Sequence, residues 1–383
     1  MKFKLSTVLL VFLLILPLSS TYSLIATAAP ASASPNIFLG VDVSFESVPA
    51  TEQLIDNVSS YTNLFVIGCY GHYNLTRLSV LSQYVYDKGL SFIVYTDSPR
   101  YPSSQWLAGA KNTYGDHFLG IYYFDEAGGK QLDQSSYPAV TNATSFNDAA
   151  TKYVQLIYHW LRSGSHAITR SFAYPTEFPL FTSDYSLYWY DYAAGYDTVF
   201  AEFTMNYSQQ LNLDLVRGAA IAENKDWGVI ITWKYTQPPY LDTGQNIYSQ
   251  METAYNAGAK YILLFDLVFD PYNVTDKPYG TMTDEHFRAL QNFWNQVLTK
   301  QKPNASHAEA ALVLPYNYGW GLRNMNDKIW GFWGPDDKSP LIWNNTQTLL
   351  TKYGLRLDII YDDPAFPIEG NYSKIYYSNQ TIS

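Results

Sequence analysis

The chain has almost no cysteine. Of its 383 residues only Cys69 is a cysteine, so no internal disulfide can form. Stability must therefore come from a hydrophobic core, and this length suffices for one barrel of about 250 residues plus a smaller module. Cys69 lies inside an apolar run and is interpreted as a small buried side chain.

Basic runs and clustered metal ligands are also missing. The formal net charge is −10, and an acidic chain without a basic run is not typical of proteins that bind nucleic acid or anionic lipid. The six histidines show no zinc-ligand spacing, and no nucleophile elbow, phosphate-binding loop or dinucleotide fingerprint occurs. We therefore expect no cofactor and no metal. Calcium stays an alternative at Asp266, Asp270, Asn273 and Asp276, although Asp-rich loops are usually polar turns.

Long apolar runs are absent beyond the start of the chain. Lys2 and Lys4 precede the apolar run Val8–Leu18, and small residues follow, which predicts a secretory signal peptide over residues 1–33. An uncleaved anchor is the alternative, but this run is shorter than the roughly 20 residues that span a bilayer. We expect a secreted chain, free or attached to the cell surface, without a membrane span once the signal is cleaved. The sequence leaves its oligomeric state open.

Asn-x-Ser/Thr sequons are more frequent than chance predicts. Nine occur in the chain, and glycans at such sites belong on the surface of exported proteins. The alternative is that an Asn- and Thr-rich exported protein accumulates sequons that are not all used. The sequons begin at Asn57, Asn74, Asn142, Asn206, Asn273, Asn304, Asn344, Asn371 and Asn379.

Eight short, mostly apolar runs recur between residues 36 and 269. Continuous Val, Ile, Leu, Phe and Tyr runs are typical of strands buried on both faces of a parallel sheet, and helical patterns separate most of them. Eight such repeats predict an α/β fold, a (β/α)8 TIM barrel, over residues 36–301. The runs are Asn36–Ser44, Asn63–Tyr70, Ser91–Asp97, Leu119–Glu126, Arg170–Tyr174, Thr198–Phe203, Trp227–Tyr235 and Tyr261–Phe269. Helices that follow these runs are predicted at Val80–Lys88, Asn147–Arg162, Ser208–Ala222, Asn246–Ala257 and Asp284–Leu298.

A linker over residues 302–309 and a small α/β module over residues 310–383 follow the barrel. Strands are predicted at Ala310–Leu314, Leu357–Tyr361 and Lys374–Tyr377, and a helix at Pro340–Tyr353. Trp320, Trp330 and Trp333 precede this helix and could stack on sugar rings or bind the module to the barrel. We favour the interface, because so small a module needs a large buried patch.

Carboxylates follow several of the predicted strands. The fourth run ends in Asp125 and Glu126, which strand alternation points in different directions. Glu202 is embedded in the apolar sixth run, where burial would raise its pKa. The alternative for Glu202 is an ion pair inside the barrel. Because reactive groups of TIM barrels lie at the carboxyl ends of the strands, we predict these three as catalytic residues.

Paired carboxylates among aromatic side chains are typical of glycosidases. One acid protonates the leaving oxygen, and a second carboxylate attacks the sugar or activates water. Long connections at Ala127–Thr144, Thr236–Gly244 and Asp270–Met282 would form the binding loops. The predicted substrate-binding residues are Asp42, Tyr70, His72, Tyr95, Asp97, Tyr174, Trp233, Lys234 and Asp266.

Over residues 36–301 the chain resembles the secreted (β/α)8 glycoside hydrolases in architecture, and the GWGLR and DKIWGFW stretches resemble archaeal proteins of this kind. The resemblance to the α-galactosidase type implies a nucleophile at Asp125 or Glu126 and an acid/base at Glu202. That type has Asp at both positions, and the cellulase type has a Glu after strand seven, where this chain has Trp233 and Lys234. The resemblance thus implies a poly- or oligosaccharide substrate, and a non-catalytic glycan-binding protein is the alternative.

Overall fold

A closed barrel of eight parallel strands forms the larger part of the molecule, which confirms the predicted fold class. The computed structural model describes residues 37–69, 74–96, 101–163, 178–267, 280–300, 308–368 and 371–382. The barrel strands are β1 (Phe38–Glu46), β2 (Leu64–Cys69), β3 (Ser91–Thr96), β4 (Phe118–Tyr123), β5 (Leu180–Asp184), β6 (Thr198–Phe203), β7 (Asp226–Ile231) and β8 (Tyr261–Leu267). They pair in chain order, and β1 closes the barrel by pairing with both β2 and β8.

The fifth strand is the one that the sequence places wrongly. The predicted run Arg170–Tyr174 lies outside the described residues, and the strand between β4 and β6 is Leu180–Asp184. Only its first two residues are large and apolar, because its polar end faces the site and the following helix. A search for continuous apolar runs therefore passes over it.

Side chains alternate between the inside of the barrel and the surrounding helices. The inner positions hold a separate apolar cluster, in which Phe38 stacks on Tyr261 with ring centroids 5.0 Å apart. Farther along the same inner faces, polar side chains replace the apolar ones, as at Ser183 after Phe181. The apolar cluster thus forms the floor beneath a polar cavity.

Helices follow the strands of the barrel. The helices up to β8 are α1 (Val48–Val58), α2 (Leu75–Asp87), α3 (Ser104–Tyr114), α4 (Ala127–Gln134), α5 (Pro138–Thr141), α6 (Phe146–Ser163), α7 (Tyr188–Ala193), α8 (Gln209–Ala222) and α9 (Gly244–Ala257), and α10 (Asp284–Phe293) follows β8. Most of the predicted long connection Ala127–Thr144 is helical, because α4 and α5 lie within it.

The C-terminal segment adds a three-stranded parallel sheet and one helix. Its strands are β9 (Ala310–Leu314), β10 (Leu357–Tyr361) and β11 (Lys374–Tyr377), in the order β10-β9-β11, and its helix is α11 (Ser339–Tyr353). Asn36–Ser383 form one compact unit, so this sheet and the barrel belong together.

A buried ion pair joins this sheet to the barrel. Arg217 on α8 is only 2% exposed and donates from Nε to Asp358 Oδ1 at 2.7 Å. The same guanidinium donates from Nη2 to the carbonyl of Leu357 at 2.6 Å. A Cβ at Gly218 would lie 2.7 Å from the carbonyl oxygen of Ile359, so glycine permits the close approach of β10.

The tryptophan-rich segment between β9 and α11 packs against the barrel helices. Trp330 is fully buried, and its ring centroid lies 4.6 Å from that of Tyr190 on α7. Trp320 is also buried and donates from Nε1 to the carbonyl of Asp327 at 2.8 Å. Trp333 is half-buried against Phe146. The contacts of Trp330 and Trp333 support the interface interpretation of this segment.

We expect Arg217→Met to lower the free energy of unfolding by about 3–5 kcal/mol, because it leaves Asp358 buried without this cation. Urea denaturation measures the change. The control is Lys225→Met, which breaks a half-exposed ion pair with Asp197 and should cost no more than about 1 kcal/mol. Equal losses in the two variants would contradict a role for the buried pair in fastening the sheet to the barrel.

Candidate active site

A cavity of about 350 Å³ opens at the carboxyl ends of the barrel strands. Reactive groups of TIM barrels lie at this end. Fourteen described residues line it: Asp42, Ser44, Tyr95, Tyr122, Asp125, Glu126, Ser183, Glu202, Thr204, Met205, Ile230, Thr232, Trp233 and Phe265.

Two hydroxyl groups, linked in series by hydrogen bonds, hold the Glu202 side chain inside the cavity. Glu202 is 5% exposed, and Ser183 Oγ donates to its Oε1 at 2.6 Å. The Tyr122 hydroxyl donates in turn to Ser183 Oγ at 2.6 Å. Burial raises the pKa of the Glu202 carboxyl well above its usual range, the negative charge of Glu126 raises it further, and the Ser183 hydrogen bond opposes the shift. Glu202 is therefore a carboxyl that keeps its proton to higher pH than an exposed glutamate.

The chain turns sharply where β4 ends. Phe124 and Glu126 have φ values of 59° and 57°, a left-handed conformation that is uncommon outside glycine. Such backbone costs about 1–3 kcal/mol per residue and persists where the surroundings fix it, often at functional sites. Here the N–H of Glu126 donates to the carbonyl of Ser183 at 2.8 Å. Strand alternation ends at Tyr123, so Asp125 and Glu126 both line the cavity, and the prediction that they point in different directions is wrong.

One lysine, Lys130, contacts both acids of this turn. Lys130 Nζ lies 3.4 Å from Asp125 Oδ1 and 3.3 Å from Glu126 Oε2, and it donates to the carbonyl of Asp125 at 3.0 Å. Burial nevertheless raises the pKa of Glu126, as does the charge of Asp125, and Lys130 opposes that shift. The lysine thus favours the ionised form of Glu126 and places a positive charge beside Asp125.

Asp184 anchors the helix that follows the turn. Its carboxylate accepts hydrogen bonds from the backbone N–H groups of Gly128 at 2.6 Å and Gly129 at 2.8 Å, at the start of α4. A Cβ at Gly129 would lie 2.0 Å from the ring of Tyr185, so only glycine fits there. Burial raises the pKa of Asp184 to about 7, although these N–H donors oppose the shift.

Asp42 lies at the same end of the barrel, on β1. It is 2% exposed, and no described residue donates a hydrogen bond to its Oδ1. Burial raises the pKa of this carboxyl well above its usual range, and the charge of Asp125 adds to the shift. Asp42 is thus a buried acid with an unused acceptor atom that lines the cavity.

Six of the predicted site residues meet in this cavity: Asp42, Tyr95, Asp125, Glu126, Glu202 and Trp233. The predicted residues Tyr70, His72, Asp97 and Tyr174 lie outside the described residues, as do Asp270, Asn273 and Asp276 of the calcium alternative. Lys234 and Asp266 are described and are not among the lining residues. Lys234 lies on a turn in which its N–H donates to the carbonyl of Tyr240 at 2.7 Å.

Strand parity explains the position of Asp266. Leu263 belongs to the cluster inside the barrel, Phe265 packs against that cluster and lines the cavity, and Asp266 therefore faces the other side of β8. There its Oδ1 accepts hydrogen bonds from the N–H groups of Thr281 at 2.8 Å and Met282 at 2.9 Å. Asp266 thus fixes the approach to α10.

Sequence reasoning missed Tyr122 and Ser183, the two hydroxyl groups that hold Glu202. Both lie on inner faces, Ser183 two positions after Phe181 and Tyr122 four positions before Glu126. If every second residue of the strand is counted from the inner apolar positions, Tyr122 is predicted on the inner face. The missed lining residues also include Ser44, Thr204, Met205, Ile230, Thr232 and Phe265.

Trp233 forms an aromatic wall of the cavity. Its ring centroid lies 4.9 Å from that of Tyr240 in an edge-on arrangement, and its carbonyl accepts a hydrogen bond from the N–H of Met205 at 2.7 Å. These contacts hold a half-buried indole beside the carboxylates. Such a surface suits the apolar face of a ligand.

The described ranges contain neither a cluster of metal ligands nor a membrane-spanning helix. Within those ranges no three His, Cys, Asp or Glu side chains are grouped to hold a metal ion. No helix there has the length and apolar character needed to cross a membrane.

No protein-family model matches the sequence, and no curated protein matches it. The fold is similar to a β-mannanase from the blue mussel Mytilus edulis, with a TM-score of 0.40, 9% identity, and coverage of 68% of this chain and 92% of that one. A family 1 β-glucosidase from Thermotoga maritima gives a TM-score of 0.39 at 8% identity and 68% and 97% coverage. A truncated 3-deoxy-D-arabino-heptulosonate 7-phosphate synthase, also from Thermotoga maritima, gives 0.33 at 10% identity and 68% and 86% coverage. A fold does not by itself determine function, so function must be argued from the site.

We expect Glu202→Gln to stabilise the protein more as the pH rises. The folded state loses stability as pH rises from the unfolded pKa of about 4.3 through the raised folded-state pKa, because the buried carboxyl must then ionise. Glutamine has no proton to lose and can still accept the Ser183 hydrogen bond. Thermal unfolding should show a gain in Tm at about pH 8 that shrinks toward about pH 4.

The control for this measurement is Asp116→Asn, which removes an acid whose side chain is 98% exposed. Its Tm difference from the parent chain should stay small at every pH. A Glu202→Gln difference that is the same at both ends of the pH range would show that burial does not penalise the Glu202 carboxylate.

Proposed function

We propose that the protein is a glycoside hydrolase that cleaves an extracellular glycan. The observation that carries this proposal is the meeting of Glu202 with Asp125 and Glu126 in one cavity at the carboxyl end of the barrel. A glycosidase needs two carboxyl groups in opposite protonation states across the scissile bond. The burial of Glu202 favours the protonated form that one of the two groups must have.

Glu202 is the proposed general acid. It is buried, its pKa is raised by burial and by Glu126, and its Oε1 is fixed by Ser183. A protonated carboxyl can deliver its proton to the glycosidic oxygen as the bond breaks, so the leaving group departs as a neutral alcohol. Its fixed position limits the directions from which the substrate oxygen can approach.

Asp125 is the proposed second carboxylate. Lys130 Nζ lies 3.4 Å from its Oδ1 and donates to its carbonyl at 3.0 Å, so a cation lies beside this carboxylate. A charged carboxylate can attack the anomeric carbon or activate a water molecule. Glu126 acts on the pair through its charge, because that charge is the largest electrostatic cause of the raised Glu202 pKa.

Aromatic side chains beside these acids suit a sugar ring. Trp233, Tyr95 and Phe265 line the same cavity. Sugar C–H faces pack on such rings, while the hydroxyl groups of the sugar bond to the polar lining. A glycan explains this combination of walls better than a purely apolar ligand does.

The predicted signal peptide and sequons support an extracellular site of action. Of the seven sequon asparagines within the described residues, six are exposed and only Asn57 is half-buried. Glycans attached at the exposed positions would project into solvent. Digestion of the secreted protein with an N-glycosidase, followed by mass measurement, tests this part of the proposal.

We expect Glu202→Gln and Asp125→Asn each to reduce kcat at least about a hundredfold, because each removes one of the two reacting groups. Release of reducing sugar from a panel of polysaccharides measures the activity, and circular dichroism checks the fold. Lys225→Met, at a site remote from the cavity lining, should keep full activity. Retention of the protein on an immobilised glycan without any sugar release would overturn the enzyme proposal and support a glycan-binding protein.

Ser183→Ala should move the alkaline limb of the kcat/KM profile to higher pH. The Ser183 hydrogen bond lowers the pKa of Glu202, so its loss lets the acid keep its proton longer. Ser44→Ala, which removes another hydroxyl from the cavity lining, should leave that limb in place. A shift to lower pH in Ser183→Ala would contradict the assignment of Glu202 as the acid.

A further inference from the structure

The described lining of the cavity is strongly acidic. It includes four carboxyl groups, those of Asp42, Asp125, Glu126 and Glu202, and no Lys, Arg or His side chain. Lys130 on α4 is not among the lining residues, and it forms ion pairs with Asp125 and Glu126. Cavities lined by one sign of charge concentrate ligands of the opposite sign.

Asp42 is distinguished from the other three acids by its contacts. Glu202 accepts a hydrogen bond from Ser183, and Asp125 and Glu126 share Lys130. Asp42 is 2% exposed, lines the cavity, and presents an Oδ1 to which no described residue donates. A buried acceptor without a hydrogen bond costs free energy. A ligand that donates a hydrogen bond to Asp42 Oδ1 therefore binds more tightly.

The charge of Asp125 favours a positively charged hydrogen-bond donor over a neutral one. That charge acts on Asp42, so the surroundings of the Asp42 carboxyl are negative. A neutral hydroxyl would satisfy the hydrogen bond and leave the negative charge uncompensated. A protonated amine satisfies both, since it donates and carries a positive charge.

We propose that this cavity selects a sugar that carries a free, protonated amine, with the ammonium group held by Asp42 and attracted by Asp125. This inference rests on the proposed glycosidase function and specifies its substrate class as amino sugars that are not N-acetylated. The volume of about 350 Å³ lies at the small end of the range of ligand sites, about 300–1,000 Å³, which suits single sugar units.

The test measures binding without cleavage. Glu202→Gln protein is titrated with glucosamine and galactosamine, with their neutral parent sugars, and with the N-acetylated forms, in amine-free phosphate buffer and with chemical-shift changes as readout. The free amines should bind about tenfold or more tightly than the other two forms, as a charged hydrogen bond provides. Monosaccharides remove any dependence on the glycosidic linkage.

Asp42→Asn, added to the Glu202→Gln background, should abolish this preference, so that the ratio of the amine affinity to the neutral-sugar affinity falls to about one. Asp116→Asn makes the same change in charge at an exposed position and should keep the preference. Equal binding of amines and neutral sugars, or a preference that survives Asp42→Asn, would overturn the inference.

Hydrolysis by the protein without these substitutions distinguishes a failure of the amine specificity from a failure of the proposed glycosidase function. Cleavage of neutral glycans that depends on Glu202, together with equal binding of amines and neutral sugars, would retain the glycosidase and reject the amine specificity. Amine binding that depends on Asp42, with no cleavage of any glucosamine or galactosamine polymer, would reject the glycosidase and with it the substrate class stated here.

Discussion

Ser183 makes the contacts on which the geometry of the site depends. Its hydroxyl donates to Glu202 on β6 and accepts from Tyr122 on β4, while its backbone carbonyl accepts from the N–H of Glu126. One residue of β5 therefore fixes the depth of one acid and the start of the turn that carries the others. Hydrogen bonds at a single strand end thus contribute to the relative position of the three acids. Rigid support of this kind is what general acid–base chemistry requires.

The sequence predicts the barrel well because most of its strands are continuous apolar runs. Seven of the eight predicted runs overlap the observed strands, and all six predicted helices overlap observed ones. The exception, β5, fails for a reason tied to function, since its last three residues are Thr182, Ser183 and Asp184. Polar residues placed at the end of a strand to serve the site remove the very pattern by which strands are recognised.

Strand alternation predicts part of the site and fails where the backbone departs from strand geometry. Alternation along a strand correctly separates Glu202, on the inner face of β6, from Asp266, on the outer face of β8, once an inner apolar residue fixes the parity. It fails at Asp125 and Glu126, because Phe124 and Glu126 adopt left-handed conformations. Neither residue is a glycine, so the sequence gives no sign of these conformations. Sequence patterns report average preferences of residue types. A conformation held against those preferences by tertiary contacts is visible only in the structure.

The C-terminal segment also acts on the site, through α4. That helix begins directly after Glu126, and its start is fixed by Asp184. Near its other end, Gln131 Nε2 donates to the carbonyl of Trp330 at 2.8 Å and Asp133 forms an ion pair with Arg323 at 2.6 Å, both partners belonging to the tryptophan-rich segment.

A Cβ at Gly331 would lie 2.0 Å from the carbonyl oxygen of Gln131, so the backbones of the two segments pack directly against each other. The strained turn at Glu126 is thus held from both sides, by β5 on one and by the C-terminal segment through α4 on the other. Strain of this kind persists only where surrounding contacts outweigh its cost. The tryptophan-rich segment therefore contributes to the geometry of the carboxylates although its buried tryptophans, Trp320 and Trp330, are not among the described residues that line the cavity.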